Sequence, residues 1–286
     1  MTTGPEEFPL EGVDLDHPNV ARIYDYYLGG TANYAVDRVF AEKALEAFPF
    51  VRPASQSNRL FLHRAVRHLV KRGIRQFIDI GSGVPTMGST HQVAEELTDD
   101  ARVVYIDNEA VAVAHSQILL EQDGDLTRHA VVQADLRDPG SVWRRVTETG
   151  VVDVTQPLAL LLIAVLHVAQ PGPDGTDIAP EAVARYRELL PSGSYLAISH
   201  GTGDGVPEYR AREMAEFGKM YDNTATPVCW RPHDEIEAFF GDLELIEPGA
   251  TWTPLWHPEE NGPTAPRVEF KNPNESVVWA GVAYKP

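Results

Sequence analysis

Short apolar runs alternate with amphipathic segments through the middle of the chain. Five runs have the length of buried strands: 76–80, 102–106, 129–134, 158–165 and 194–199. The segments between them repeat apolar residues at helical spacing: 87–97, 109–121, 138–148 and 179–190. Strands that alternate with helices form parallel sheets with helices on both faces. We therefore expect an α/β fold with a doubly wound sheet that binds ligands beyond the carboxyl ends of its strands.

The region before the first predicted strand has helical periodicity. Residues 17–72 are predicted to form an N-terminal helical extension or cap, interrupted around 49–53 by two prolines. The preceding residues, 1–16, are acidic and rich in Pro and Gly, and we expect them to form a flexible arm. The core is assigned to residues 73–286.

The alternation of strands and helices breaks down after the fifth strand. An inserted helix is predicted at 207–221 and another near 233–240, followed by strands at 243–247 and 277–284. No helical segment separates these last two strands, so they are expected to form an antiparallel closing pair. The long loop between them, 248–276, is rich in Pro, Gly and Asn, and such loops are usually functional or disordered.

The chain carries a formal net charge of −18. This charge repels phosphate backbones and anionic membrane surfaces, so neither nucleic acid nor a membrane is an expected partner. A basic cluster around the helix that ends near residue 72 is interpreted as a solvated helix face; its members are Arg64, Arg67, Lys71, Arg72 and Arg75. Cys229 is the only cysteine, which is typical of a reducing compartment. Because no apolar run is long enough to span a bilayer, the protein is expected to be cytoplasmic.

A glycine-rich turn follows the first predicted strand. Asp79 lies near the end of that strand, and Gly81, Ser82 and Gly83 follow it before the next helix. Glycine lets the backbone approach a ligand where a side chain would block it, and the helix that follows presents unpaired amides. The turn is a candidate cofactor site.

The next two predicted strands each end in an acid. Asp107 and Asn108 follow the second strand, at the place where a carboxylate usually accepts hydrogen bonds from a ribose diol. Asp135 and Leu136 follow the third strand, where they are positioned to meet the amine and the face of an adenine. Either acid alone is also typical of a helix N-cap. Three successive strand ends of this kind favour nucleotide binding.

The details of the turn discriminate between nucleotides. A dinucleotide pattern requires a glycine at position 86, where this chain has Thr86, so a pyrophosphate fits poorly. A phosphate-binding loop is also absent, because no Gly-Lys-Ser/Thr sequence follows the turn. S-adenosylmethionine has the ribose and the adenine but no phosphates, and it matches the residues present.

Several segments resemble a family of S-adenosylmethionine-dependent methyltransferases common in actinomycete bacteria: 24–30, 58–62, 75–86, 103–108, 134–139 and 193–196. The resemblance implies a class I, Rossmann-like methyltransferase fold, with a seven-stranded, mostly parallel sheet and an antiparallel C-terminal strand. It implies cofactor contacts at a set of strand-end residues: Asp79, Gly81, Gly83, Asp107 and Asp135. It implies no particular substrate, and the chain departs from the family pattern at Gln56, Ser57 and His257.

Methyl transfer needs alignment of the acceptor and few catalytic side chains. His167, after the fourth strand, and His200, after the fifth, are candidate general bases because histidine titrates near neutral pH. We favour His200, although each histidine is also typical of a structural hydrogen-bonding residue. Residues of the helical extension are candidates for the acceptor pocket: Tyr24, Tyr26, Asn33, Tyr34 and Asn58. No cluster of carboxylates and histidines at ligand spacing predicts a metal site.

Three functions are compatible with these patterns. The leading interpretation is an S-adenosylmethionine-dependent methyltransferase that acts on a small molecule. The second interpretation is a non-catalytic regulator or partner-binding protein that binds the same cofactor. An NAD-dependent oxidoreductase is the third, favoured by Asp107 at the ribose position and disfavoured by Thr86. The oligomeric state and the methyl acceptor stay open.

Overall fold

The computed structural model describes residues 16–85, 88–221 and 227–286. The predicted N-terminal arm therefore lies outside the described residues, apart from Asp16. The strands are β1 Gln76–Ile80, β2 Arg102–Asp107, β3 His129–Gln133, β4 Ala159–Ile163, β5 Tyr195–Gly201, β6 Glu244–Leu245, β7 Thr251–Trp252 and β8 Val278–Tyr284. The helices are α1 Val20–Tyr27, α2 Ala35–Ala47, α3 Val51–Lys71, α4 Thr90–Glu95, α5 Ala110–Asp123, α6 Pro139–Glu148, α7 Ala179–Leu189, α8 Glu208–Tyr221 and α9 His233–Ala238.

All these strands belong to one sheet. Its order is β3-β2-β1-β4-β5-β8-β6, with β7 paired to β8 outside this path. Strands β1 to β5 are parallel, whereas β8 runs antiparallel to β5 and β6. The predicted parallel core and antiparallel closing pair are confirmed. The described part contains eight strands instead of the seven expected, because the two residues of β7 are too few to produce a periodic signal.

Successive residues of the central strands point into two different cores. On β1, Phe77 packs with α3, α4 and α5 on one face of the sheet. Ile78 and Ile80 pack with α6 and α7 on the other face. Neighbouring β2 alternates in the same way. Because both faces are covered, these strands are continuous apolar runs in the sequence.

The helices before β1 divide between two cores. Helix α3 packs on the sheet through fully buried residues such as Phe61 and Leu69, in the same cluster as Phe77. Helices α1 and α2 pack instead with α8 in a third cluster. The hydroxyls of Tyr27 on α1 and Tyr221 on α8 lie 3.0 Å apart within it. The residues assigned to an N-terminal extension therefore share their cores with the sheet and with the inserted helix.

The long loop after β6 is packed against α3. Trp256 is fully buried and lies edge-on to Phe61, with ring centroids 5.2 Å apart. Arg64 donates hydrogen bonds to the carbonyl oxygens of Trp256 and Thr253, at 2.7 and 2.6 Å. Arg64 and Arg67 are both buried, so the interpretation of the basic cluster as a solvated helix face is wrong for these two members. Across the described residues, none of the helices has the length and apolar character of a membrane span.

Candidate functional site

A cavity of about 260 Å³ lies at the carboxyl ends of the central strands, where the strand order reverses between β1 and β4. Its walls come from the strand-end segments 79–83, 107–109 and 163–165, from 167–171, and from residues of α1 and α3. This is the edge at which open α/β sheets bind their ligands. Most of the predicted cofactor residues line it: Asp79, Gly81, Ser82, Gly83, Asp107, Asn108 and Leu136.

The glycine-rich turn brings the backbone of β1 against the segment that follows β4. Gly81 has a φ angle of +68°, and a Cβ atom there would lie 2.3 Å from Cγ2 of Val165. Gly83 has a φ angle of +64° and open space around its missing Cβ. Its amide donates a hydrogen bond to Oδ2 of Asp107 at 2.8 Å. The two glycines therefore allow a turn that faces the cavity and also holds the acid of β2.

Asp107 is held by two backbone donors. Its Oδ2 accepts from Gly83, and its Oδ1 accepts from the amide of Glu109 at 2.9 Å. Burial raises the pKa of Asp107 to about 6, and the nearby charge of Glu109 also raises it. Each carboxylate oxygen retains a lone pair, so Asp107 has the capacity to accept hydrogen bonds from both hydroxyls of a ribose.

A buried arginine that the sequence reasoning missed lies beside Asp79. Arg59 on α3 lines the cavity, is 7% exposed and forms no hydrogen bond with another described residue. Thr90 donates to Oδ2 of Asp79 at 2.6 Å; burial raises the pKa of Asp79, whereas Thr90 and the Arg59 charge lower it. The carboxylate and the guanidinium fit the ammonium and carboxylate of an amino acid group. Helical periodicity gave no signal for Arg59, because it cannot show which buried polar residue faces a ligand.

The third strand end differs from the prediction. The Asp135 carboxylate accepts three hydrogen bonds from the Arg137 side chain, from Nε to both oxygens at 3.0 Å and from Nη2 at 2.6 Å, and it is not among the cavity-lining residues. This pairing lowers the pKa of Asp135. Leu136 and Arg137 line the cavity instead. The ion pair between Asp135 and Arg137 thus holds the carboxylate away from the cavity, where it was predicted to contact an adenine.

Helix α1 covers the cavity next to Asp107. Asn19, Val20 and Ala21, at its start, all line the cavity. Nη1 of Arg22 lies 3.3 Å from Oε1 of Glu109, and its Nε donates to Asp37 at 2.7 Å. Arg22 is 1% exposed, so the pair with Glu109 joins α1 to the strand end that carries the candidate ribose acid.

A second cavity of about 90 Å³, here called the side chamber, adjoins the first one. It lies between α1, α3, α8 and the ends of β4 and β5, and the two cavities share five lining residues: Val20, Tyr24, Asn58, Ala164 and His167. Two of the predicted acceptor residues, Tyr24 and Asn58, therefore stand at the boundary between the cavities.

The other predicted acceptor residues make contacts elsewhere and line neither cavity. The Tyr26 hydroxyl donates to Glu42 at 3.0 Å, Asn33 donates to Asp25 at 2.7 Å, and the Tyr34 amide donates to Asp37 at 2.9 Å. Helix geometry explains the Tyr26 result. Val20, Tyr24 and Tyr27 are spaced by four and three residues and share one face of α1, whereas Tyr26 does not.

The two candidate histidines differ in their access to the cavities. His167 lines both, and its Nδ1 accepts a hydrogen bond from the amide of Gly201 at 3.3 Å. Burial and the charge of Arg231 lower the pKa of His167 to about 4. It is therefore neutral at pH 7, with its proton on Nε2.

His200 is fully buried and lines neither cavity. Its Nδ1 lies 2.7 Å from the carbonyl oxygen of Gly201, and Arg231 donates to its Nε2. Burial is the main cause that lowers its pKa well below the usual value. The structure contradicts the preference for His200 as a general base, because both ring nitrogens are engaged within the protein.

The sheet order, the antiparallel β8 and the cavity at the switch point define a Rossmann-like, class I methyltransferase fold. The model of the S-adenosyl methyltransferase family matches residues 7–286, and the chain belongs to this family. S-adenosylmethionine is accordingly the cofactor, and the NAD interpretation loses its support. Among the described residues, no group of three or more His, Cys, Asp or Glu side chains is placed to hold a metal ion.

Two crystal structures are similar to this chain over almost their whole length. One is a proposed methyltransferase from Thermobifida fusca, with 34% identity, a TM-score of 0.82, and coverage of 98% of this chain and 99% of that one. The other is a DUF574 family protein from Streptomyces avermitilis, with 35% identity, a TM-score of 0.82, and coverage of 95% and 98%. A search of curated protein sequences finds no match.

Proposed function

We propose that this chain transfers the methyl group of S-adenosylmethionine to a small molecule that enters at the boundary between the two cavities. The observation that carries the proposal is the shared wall. Most of the predicted cofactor residues line the larger cavity, and Tyr24, Asn58 and His167 stand between it and a second space with the mainly apolar lining that is typical of small-molecule sites. We also propose the cytoplasm as the site of this reaction, in keeping with the single cysteine.

In this proposal, different residues bind different parts of the cofactor. Asp107 accepts hydrogen bonds from the ribose hydroxyls, and Leu136 packs on the adenine face. Asp79 pairs with the ammonium of the methionine part, and Arg59 pairs with its carboxylate. The bound cofactor supplies an electrophilic methyl group on a sulfonium. The role of the chain is then to fix the position of that group relative to the acceptor and to exclude water.

Neither histidine is assigned as a general base in this mechanism. An efficient base has a pKa near the working pH, and the pKa of His167 is lowered to about 4. Neutral His167 carries its proton on Nε2, so we assign it as a hydrogen-bond donor at the boundary. His200 is assigned as a positioning residue, since Arg231 donates to its Nε2 and it contacts the backbone of Gly201.

Calorimetric titration with S-adenosylmethionine and S-adenosylhomocysteine tests the cofactor site. We expect micromolar binding that Asp107→Ala weakens about tenfold or more, equivalent to ~1.4 kcal/mol. Asp100→Ala, which removes an exposed acid of the same type, is the matched control and is expected to change nothing. Failure of the folded parent protein to bind either compound would overturn the proposal. Binding without any methyl consumption across an acceptor screen would favour the non-catalytic regulator.

A further inference from the structure

The walls of the side chamber are mainly apolar and include several aromatic rings. Tyr27 of α1, Phe217 and Tyr221 of α8, Phe50 and Trp230 all line it. The rings of Phe217 and Tyr221 lie 4.9 Å apart, and those of Phe217 and Trp230 lie 6.3 Å apart. None of the described residues that line the chamber is Asp, Glu, Lys or Arg. Such a surface favours an uncharged ring, because a charged group would lose its hydration without gaining a partner.

The two tyrosine hydroxyls at the deep end of the chamber are hydrogen-bonded to each other. Tyr27 and Tyr221 share a hydrogen bond of 3.0 Å. Burial raises the pKa of both phenols, so both stay neutral. The deep end of the chamber is therefore uncharged, and its polar atoms are already paired.

A directed chain of hydrogen bonds fixes the boundary with the cofactor cavity. The amide of Ala164 donates to Oγ of Ser199 at 2.9 Å, and Ser199 donates to Oδ1 of Asn58 at 2.6 Å. Nδ2 of Asn58 then donates to the Tyr24 hydroxyl at 3.0 Å, which donates to the carbonyl oxygen of Ser55 at 3.1 Å. This direction uses the only proton of the Tyr24 hydroxyl and leaves its second lone pair free to accept.

The backbone at this boundary is strained. Ala164, which lines both cavities, has a φ angle of +58°, a left-handed conformation that non-glycine residues seldom adopt. Strain of this kind persists where the surrounding structure holds it and is concentrated at ligand sites. The boundary therefore presents two polar groups. The Tyr24 oxygen, fixed by these hydrogen bonds, is an acceptor, and Nε2–H of His167, whose Nδ1 accepts from the Gly201 amide, is a donor.

We infer that the side chamber binds an uncharged single aromatic ring of the methyl acceptor, with the accepting hydroxyl oxygen or ring nitrogen at the boundary between Tyr24 and His167. This inference rests on the proposed function. The chamber, of about 90 Å³, is smaller than the ~150 Å³ apolar cavity that holds benzene, so we place the inner part of the ring in the chamber and the edge that carries the heteroatom at the opening into the larger cavity.

The methyl transfer needs no general base from the protein. A lone pair of the acceptor heteroatom forms the new bond to the methyl carbon, and the carbon–sulfur bond breaks with its electron pair left on sulfur. If the heteroatom is a phenolic oxygen, its proton leaves to solvent water. The polar groups at the boundary then serve to orient the heteroatom, while the aromatic walls hold the ring.

Fluorine NMR of protein labelled with 5-fluorotryptophan tests the chamber directly. The chain has five tryptophans, and Trp230 is the one that lines the chamber; the variant Trp230→Phe assigns its resonance. We expect phenol to shift the Trp230 resonance saturably, with a dissociation constant near ~1 mM. In protein saturated with S-adenosylhomocysteine, 4-hydroxybenzoate is expected to bind about tenfold more weakly than phenol binds to the same saturated protein. The carboxylate of 4-hydroxybenzoate would be buried in the chamber without a partner. Absence of a phenol-dependent shift at Trp230 would overturn the inference.

A filled chamber supplies the second test. Ala54 is buried and lines only the side chamber, and Ala54→Leu adds three carbon atoms to it. We expect phenol affinity to fall about tenfold or more while S-adenosylhomocysteine affinity stays within twofold. Ala47→Leu, on the exposed end of α2, is the matched control. Unchanged phenol binding by folded Ala54→Leu would contradict the inference; if this variant does not fold, the comparison of phenol with 4-hydroxybenzoate decides. A parent protein that binds phenol at Trp230 but binds neither S-adenosylmethionine nor S-adenosylhomocysteine would instead contradict the proposed function.

Discussion

The carboxyl of Asp107 makes cofactor affinity dependent on pH. Burial raises its pKa to about 6, so the free protein takes up a proton there as the pH falls through that value. The ionised form has more acceptor capacity for ribose hydroxyls, so binding weakens as the pH falls. One unit below the pKa, only about a tenth of the sites are ionised, and we expect the affinity for S-adenosylmethionine to fall about tenfold between pH 7.5 and pH 5. Calorimetry across this range measures it.

The control for this prediction is Asp107→Asn, which should bind weakly with little pH dependence. A flat affinity profile for the parent protein would refute the role of the Asp107 charge. The raised pKa of Asp107 also makes the stability of the folded protein depend on pH, in the direction opposite to that of cofactor affinity. Because the pKa is raised in the folded state, Asp107 contributes to stability below its unfolded pKa of 3.8, and this contribution is lost as the pH rises through about 6.

Arg59 provides a test that separates the two ends of the cofactor. We expect Arg59→Gln to weaken S-adenosylmethionine binding about tenfold or more, because a hydrogen bond to a charged group contributes ~1.5–3 kcal/mol. Binding of 5′-methylthioadenosine, which lacks the amino acid carboxylate, should change little. Arg72→Gln, at the exposed end of α3, is the control. Equal losses for both ligands would show that Arg59 supports the fold of the site and does not pair with a carboxylate.

His167 should stay neutral throughout the physiological range. Its pKa is lowered to about 4, and the hydrogen bond from Gly201 assigns its proton to Nε2. Nitrogen-15 NMR of labelled histidines is expected to show one tautomer for His167 between about pH 8 and pH 5, with titration only at lower pH. The variant His167→Gln assigns the signal. Titration near pH 6.5 would restore His167 as a general base.

Single positions were predictable where the chemistry is local to a turn. Asp79, Gly81, Gly83 and Asp107 follow from strand ends that must face one edge of the sheet, and all four line the cavity. Two of the failures have different causes. Asp135 is paired by Arg137, a local partner that competes with a ligand for the carboxylate. His200 is bonded by Arg231, which lies 31 residues further along the chain and is a partner that no local pattern reveals.

Among the elements, the buried strands were easiest to predict. An apolar run bounded by turns is a strong signal, and β1 to β5 follow the predicted runs closely. The role of α3 was not visible, because helical periodicity shows that a face is buried but not what buries it. Its position on the sheet brings Asn58 and Arg59 to the cavities, an arrangement that requires long-range packing to be known.

Helix α1 is expected to control the release of the cofactor. Arg22 on α1 pairs with Glu109 at 3.3 Å, beside Asp107, and both side chains are largely buried. Glu109→Gln removes the charge while it keeps an oxygen for the start of α5, so we expect the cofactor to dissociate about fivefold faster, equivalent to ~1 kcal/mol. Stopped-flow displacement measures the rate, and hydrogen exchange should show faster opening of α1.

Glu46→Gln, which alters an exposed acid on α2, is the comparison for the α1 prediction and should leave the rate unchanged. A dissociation rate in Glu109→Gln equal to that of the parent would mean that α1 is held by its other contacts. Those contacts include the hydrogen bond between Tyr27 and Tyr221, which joins α1 to α8.

At the scale of the whole molecule, the two cavities draw on residues that lie far apart in the described chain. The first cavity is lined by α1, by α3 and by the ends of β1 and β2, and the side chamber adds α8 and the start of β8. The sequence divided these residues between an extension, 17–72, and a core, 73–286. Shared buried clusters join the two parts, so we expect them to unfold together.

Thermal unfolding with and without ligand tests this expectation. S-adenosylhomocysteine at about a hundred times its dissociation constant stabilises the folded state by ~2.7 kcal/mol, which for a chain of this size raises Tm by roughly 5 °C. We expect one cooperative transition that moves as a unit. For Asp107→Ala we expect a shift about half as large at the same ligand concentration, because a tenfold weaker affinity leaves a stabilisation of only ~1.4 kcal/mol. Two transitions, of which only one responds to ligand, would show instead that residues 17–72 unfold separately. Because α1 and α3 both line the cavity, separate unfolding of that segment would also require the ligand to dissociate first.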